Sequence, residues 1–182
     1  MRTFLPAALA LALPFQAAAA QAPPATDFID LFATTCVAHF HAQDRLREAM
    51  SARGASVIKE QPASFFLGGQ PGTAWTLRTA AGRHVVALRE DGVCAVSAQR
   101  ADLEQVHAGF TALAATAPAP MVASPRDDAG PSGGALRTVA YAWHRPGERA
   151  ALLFTLTTSS ETSATIQAMA SLALVDEPAG NP

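Results

Sequence analysis

The chain has 182 residues, with 13 Lys+Arg against 15 Asp+Glu and 49% hydrophobic residues. That length is one domain with room for a hydrophobic core. A formal net charge of −2 lacks the basic excess that nucleic acid or an anionic membrane surface requires of a partner.

Residues 1–20, MRTFLPAALALALPFQAAAA, have one positive charge at Arg2, an apolar stretch from Leu5 to Phe15 and a run of small residues at Ala18-Ala19-Ala20. This is the three-part pattern of a cleaved secretory signal peptide. The apolar run is shorter than the roughly 20 residues a spanning helix needs, and no later stretch is longer. No Cys lies near the cleavage point to take a lipid. Cleavage after Ala20 leaves 162 residues, with Arg2 gone and a net charge near −3. Residues 21–26 are expected to be a tether.

Phe28, Leu31, Phe32, Thr35, Cys36, His39 and Phe40 recur with helical spacing, and Thr26 or Asp27 is placed to cap that helix. A second helix is expected over 43–53, with Leu46 and Met50 on one face and Gly54 as its stop. The next segment is irregular. Val57-Ile58 suits a short strand, and Phe65-Phe66-Leu67 runs into the turn Gly68-Gly69-Gln70-Pro71-Gly72. Three strands follow over 73–79, 83–90 and 93–99, the last two joined by Asp91-Gly92, a strong hairpin signal. Asp102 with Gln105 resembles a capping box before a helix carrying Leu103, Val106, Phe110 and Leu113. Residues 118–135 are rich in Pro, Gly, Ser and Asp and predict a mobile loop. Alternation then predicts strands over 136–145, 149–158 and 165–175, with a disordered tail over 176–182.

This order predicts an α+β fold in a single domain over 27–175. An antiparallel sheet of about six strands, formed by two αβββ halves, would carry its helices on one face.

Two cysteines in an exported chain favour a disulfide, Cys36–Cys94. It would close a loop of about 59 residues, worth roughly 4 kcal/mol by chain entropy, and pin the first helix to the sheet. A reactive thiol or metal ligand is the alternative, without CxxC spacing or a His/Cys cluster to support it.

The segments FATTCVAHF, GGQPGTAWTL, DGVCAVSAQRAD and IQAMASLAL occur in that order. The pattern resembles a family of uncharacterised exported proteobacterial proteins and lipoproteins over roughly residues 27–175, although the lipidation Cys of its lipoprotein members is missing. The resemblance implies a periplasmic location and no known activity, so it carries no catalytic residues over.

Candidate chemistry is sparse. His39 and His41 diverge by about 200° if helical, which does not suit a metal. His84, His107 and His144 lie on separate elements. The Gly68–Gly72 loop lacks a following Lys-Ser/Thr and opens a strand, so it is not a phosphate cradle. It remains the best candidate binding loop (Gly68, Gly69, Gln70, Gly72, with Trp75 beyond it), because glycine lets a ligand approach the backbone. Trp75, Tyr141 and Trp143 would line a groove or pack beneath helices. No nucleophile elbow is present. The expectation is a periplasmic, non-catalytic binding or accessory protein of the envelope, without metal or cofactor, acting on a protein or small ligand. The alternatives are an immunity or inhibitor protein presenting the Arg126–Gly134 loop, and a hydrolase whose His residues meet a carboxylate or Ser only in three dimensions.

Overall fold

In the computed structural model, residues 24–59, 61–127, 130 and 132–176 are described. The proposed signal peptide and most of the tail lie outside these residues. The first helix, α1 (Pro24–Phe32), starts inside the segment expected to be a tether. It continues into a π-helical turn, Ala33–Val37, in which the Ala38 N–H donates to the carbonyl of Ala33. The extra residue of such a turn shifts the stripe by a step. Phe28, Leu31, Phe32, Thr35 and Cys36 are buried, while His39 and Phe40 are only half-buried and His41 is exposed. Helix α2 (Gln43–Ala52) buries Leu46 and Met50. It ends in a Schellman motif: the Gly54 N–H donates to the Ser51 carbonyl and the Ala55 N–H to the Met50 carbonyl, with Gly54 at φ 69°, where a side chain is disfavoured.

The sheet is antiparallel and has eight strands, in the order β1-β2-β3-β4-β8-β7-β6-β5. They are β1 (Ser56–Ile58), β2 (Gly72–Thr79), β3 (Gly82–Arg89), β4 (Cys94–Ala98), β5 (Val122–Arg126), β6 (Leu136–His144), β7 (Ala150–Ser159) and β8 (Ala168–Asp176). Each half is a meander of four strands rather than three, and the halves join where β4 pairs with β8. The expected six strands is thus an undercount. The strands beyond six are the edges: β1, which contains the short strand expected at Val57-Ile58, and β5. The second lies inside the segment read as a mobile loop, where Pro125 stands opposite Tyr141, and proline is tolerated on an edge strand.

Helix α4 (Leu103–Ala114) is capped by Asp102, whose carboxylate accepts from the Gln105 N–H at 3.2 Å. It crosses α1 closely: a Cβ on Gly109 would stand 3.1 Å from Ile29 Cγ1. Helices α1, α2 and α4 share one core with the inward face of the sheet, which presents Trp75, Val86, Leu88, Val96, Phe154, Leu156 and Leu172. Phe32 sits at its centre, 6.3 Å from the rings of both Phe110 and Phe154. The Trp143 indole N–H donates to the Ala114 carbonyl at 2.6 Å, joining β6 to the end of α4. The Cys36–Cys94 disulfide is formed, with Cα atoms 5.4 Å apart, and ties the π turn to β4. No helix among the described residues is long and apolar enough to cross a membrane.

The helices do not all lie on one face. A fourth, α3 (Gln61–Leu67), packs Ala63, Phe66 and Leu67 against Ala74, Val85 and Ala87 on the other side of β2 and β3. The small floor at Ala74 and Ala87 lets this short helix sit close to the sheet.

Candidate functional site

Exposed apolar side chains occur at the margins of the main-core face, at Val57 and Leu174, and on the opposite face, at Phe65, Val122, Leu136 and Met169. On the opposite face they gather beside α3. In α3, Phe66 is half-buried and Phe65 is 62% exposed, the two rings meeting edge to face with centroids 5.2 Å apart. Three depressions surround this pair. One of about 340 Å³ is bounded by Ile58, Pro62, Phe66, Arg83, Gln99 and Ile166. A second, of about 280 Å³, continues past Phe65 and Phe66 to Met169 and Leu136. A third, of about 290 Å³, lies on the Leu67–Gly68 side of the same rings and includes Arg89.

The strand register explains their floor. Thr76, Val85, Ser97, Met169, Thr157 and Thr138 are successive cross-strand partners from β2 to β6. Directly paired residues of an antiparallel sheet share a face, so they form one row across it. The first two depressions lie along that row. Together they make a groove between α3 and the 160–167 connection, with Phe65 and Phe66 on one wall and Ile166 on the other.

One residue pair further along the same face, Arg78 and Arg83 stand directly opposite each other. Both are exposed, and neither has an ion pair or hydrogen bond among the described residues. Other arginines differ: Arg89, at the opposite end of β3, is paired with the Asp91 carboxylate, and Arg100 donates to the carbonyls of Gln99 and Ala164.

The residues picked out in the sequence divide between two faces. Gly68, Gly69 and Gln70 form an exposed turn at the end of α3, with both glycines at positive φ, 61° and 74°. Gly72 is structural: a Cβ there would fall on the Leu88 carbonyl and within 2.8 Å of Arg89 Cα. Trp75 is 5% exposed in the main core and does not join the turn's surface. Tyr141 and Trp143 also pack on the main core. Sequence reasoning missed Phe65, Phe66 and the Arg78/Arg83 pair. Three consecutive apolar residues beside a turn, without helical spacing, gave no sign of which one faces out.

The histidines make separate contacts. His84 Nε2 lies 3.1 Å from Thr79 Oγ1. Burial holds its pKa below the ordinary value, against the opposing pull of the Asp27 carboxylate. His107 Nε2 lies 2.9 Å from Thr158 Oγ1, and burial followed by the Arg137 charge lowers its pKa. Thr158 is 3% exposed, a poor position for attack on a substrate. No group of three or more His, Cys, Asp or Glu placed to hold a metal occurs among the described residues. No protein-family model matches the sequence, and neither the curated proteins nor the solved structures contain a match to it.

Proposed function

We propose that this chain is an exported, non-catalytic binding protein of the bacterial cell envelope, and that the groove beside α3 is its binding surface. The observation that carries the reading is Phe65, a large aromatic left 62% exposed on the wall of the second depression, beside Phe66, which lines both depressions of the groove. Isolated exposed apolar residues are ordinary, but a concave apolar strip with a few polar groups is the usual form of a ligand site. Export is supported by the N-terminal pattern of residues 1–20 and by the disulfide, which persists in an oxidising compartment.

The test has two arms. Fractionation with N-terminal sequencing of the mature chain should find it in the periplasm, starting at Gln21. A photo-crosslinking residue at position 65 should then capture an adduct that the same residue at Glu48, exposed on α2, does not. Cytoplasmic, uncleaved protein would refute export, and equal or absent capture at the two positions would refute the binding surface.

A further inference from the structure

Resting on that reading of the groove, the geometry points to a ligand class: single-chain amphiphiles with an anionic head, in the form of fatty carboxylates of about twelve carbons. The head lies at Arg83 and Arg78, and the chain runs past Phe66 and Phe65 towards Met169.

Three observations converge on this. The first is charge. Two like charges directly opposite on neighbouring strands destabilise a sheet, and no acidic side chain among the described residues answers Arg78 or Arg83. A carboxylate between them would relieve the repulsion and accept paired N–H bonds from a guanidinium. Gln99, Thr76 and Thr165 on the same depression supply further donors. The second is the change of chemistry along the groove. Beyond Ser97 the charged and amide groups end, and Phe65, Phe66, Ile166, Met169 and Leu136 stand around a floor of Thr157, Thr158 and Ser159; Phe65, Met169 and Leu136 are 62%, 39% and 42% exposed. The third is size. From β3, which carries Arg83, past Met169 on β8 to Thr157 on β7 at the far side of the second depression is three strand spacings, about 14 Å, close to an extended chain of about a dozen carbons. The two connected depressions, of about 340 and 280 Å³, are in the range of small-ligand sites.

Isothermal titration of the mature, oxidised protein with dodecanoate and with dodecanol, both below micelle formation, separates the components. Dodecanoate should bind at least tenfold more tightly than dodecanol. Arg83→Gln, and more so Arg83→Gln with Arg78→Gln, should weaken dodecanoate about ten- to a hundredfold, the loss expected of a charge-assisted hydrogen bond. The same variants should leave dodecanol unchanged. Met169→Trp, which fills the groove, should weaken both probes, with circular dichroism confirming that each variant is folded. If the two probes bind alike and Arg83→Gln changes neither, the head-group assignment fails while the groove survives as an apolar site. Binding that ignores Met169→Trp overturns the placement of the chain. If neither probe binds but the crosslink at position 65 still captures a partner, the ligand class fails alone. If both are absent, the groove reading fails with it.

Discussion

Replacing both cysteines by alanine should cost this protein about 4 kcal/mol. Cys36 and Cys94 are 58 residues apart. Freeing a loop of that size in the unfolded chain is worth about 4 kcal/mol on the chain-entropy account, within the usual span for a native disulfide. Both residues are buried, at 1% and 2% exposure, so the two alanines also leave a small void rather than new solvated surface. At a urea slope of about 2 kcal/mol/M, the unfolding midpoint should fall by about 2 M. Trp75 and Trp143, 5% and 6% exposed, report the transition by fluorescence. Removing the crosslink lets the unfolded chain expand, so the slope should rise slightly. The wild-type protein unfolded and refolded in reductant should follow the double variant. Because the native disulfide is shielded, reduction under native conditions should be slow and should quicken as urea approaches the midpoint. A midpoint shift below about 0.5 M at unchanged slope, or rapid reduction of the native protein, would refute this reasoning.

Other perturbations separate fold from surface. Gly72→Ala should destabilise by about 1–3 kcal/mol, the range for overpacking, since its Cβ meets the backbone of Leu88 and Arg89. Gly69→Ala meets nothing within 4 Å and should cost only the roughly 1–2 kcal/mol of a left-handed backbone; thermal melts of the two should rank them in that order. Phe154→Ala, with its ring fully buried against Phe32 and Trp143, should lose about 3–5 kcal/mol in urea titration. Phe65→Ala should stay within about 0.5 kcal/mol of the wild type. The lowered pKa values of His84 and His107 mean that the unfolded chain binds protons the folded one resists. Stability should therefore be full above pH 6.5 and fall as the pH drops from 6.5 towards the lowered folded values. Urea midpoints between about pH 7.5 and 5.5 should show that decline, and a His84→Gln/His107→Gln variant should show less of it. Rising stability over that interval would contradict the assignment.

Strands with strict alternation were legible from sequence. In β6, Val139, Tyr141 and Trp143 share a face, as do Leu152, Phe154 and Leu156 in β7, and the structure puts all six on the main core. So was the pairing of Cys36 with Cys94, because helical spacing and strand alternation each directed one sulfur to the same layer. What escaped was structure that exists only through its neighbours. Helix α3 has seven residues, too few to be stable alone. It forms because Phe66 and Leu67 find the floor of Ala74, Val85 and Ala87. Strand β5 hides behind Pro125 and a Pro/Gly-rich flank, and its evidence is the partner β6 rather than its own pattern. Trp75 and the Gly68–Gly72 turn are close in sequence, which is what groups them in a reading of the sequence alone. Three residues along a strand, however, carry a side chain to the opposite face from Gly72.

The groove follows from a difference between the two meanders. Counted outward from the β4–β8 junction, β1 corresponds to β5 and β2 to β6. The connection from β1 to β2 contains α3, which covers the outer face of β2 and β3. The connection from β5 to β6 spans residues 127–135, with three glycines and a proline, a composition that disfavours a helix. Among the described residues, helical cover of this face ends partway across the sheet, and Met169 and Leu136 stay open just beyond it. Folding alone explains why Phe66 and Leu67 are apolar, since they close the floor beneath α3. It does not explain Phe65, whose ring stands largely in solvent at the point where that cover ends. The sheet would fold with a polar residue there, and on the proposed reading the ring is a contact for what fills the groove, which is why position 65 separates the two accounts.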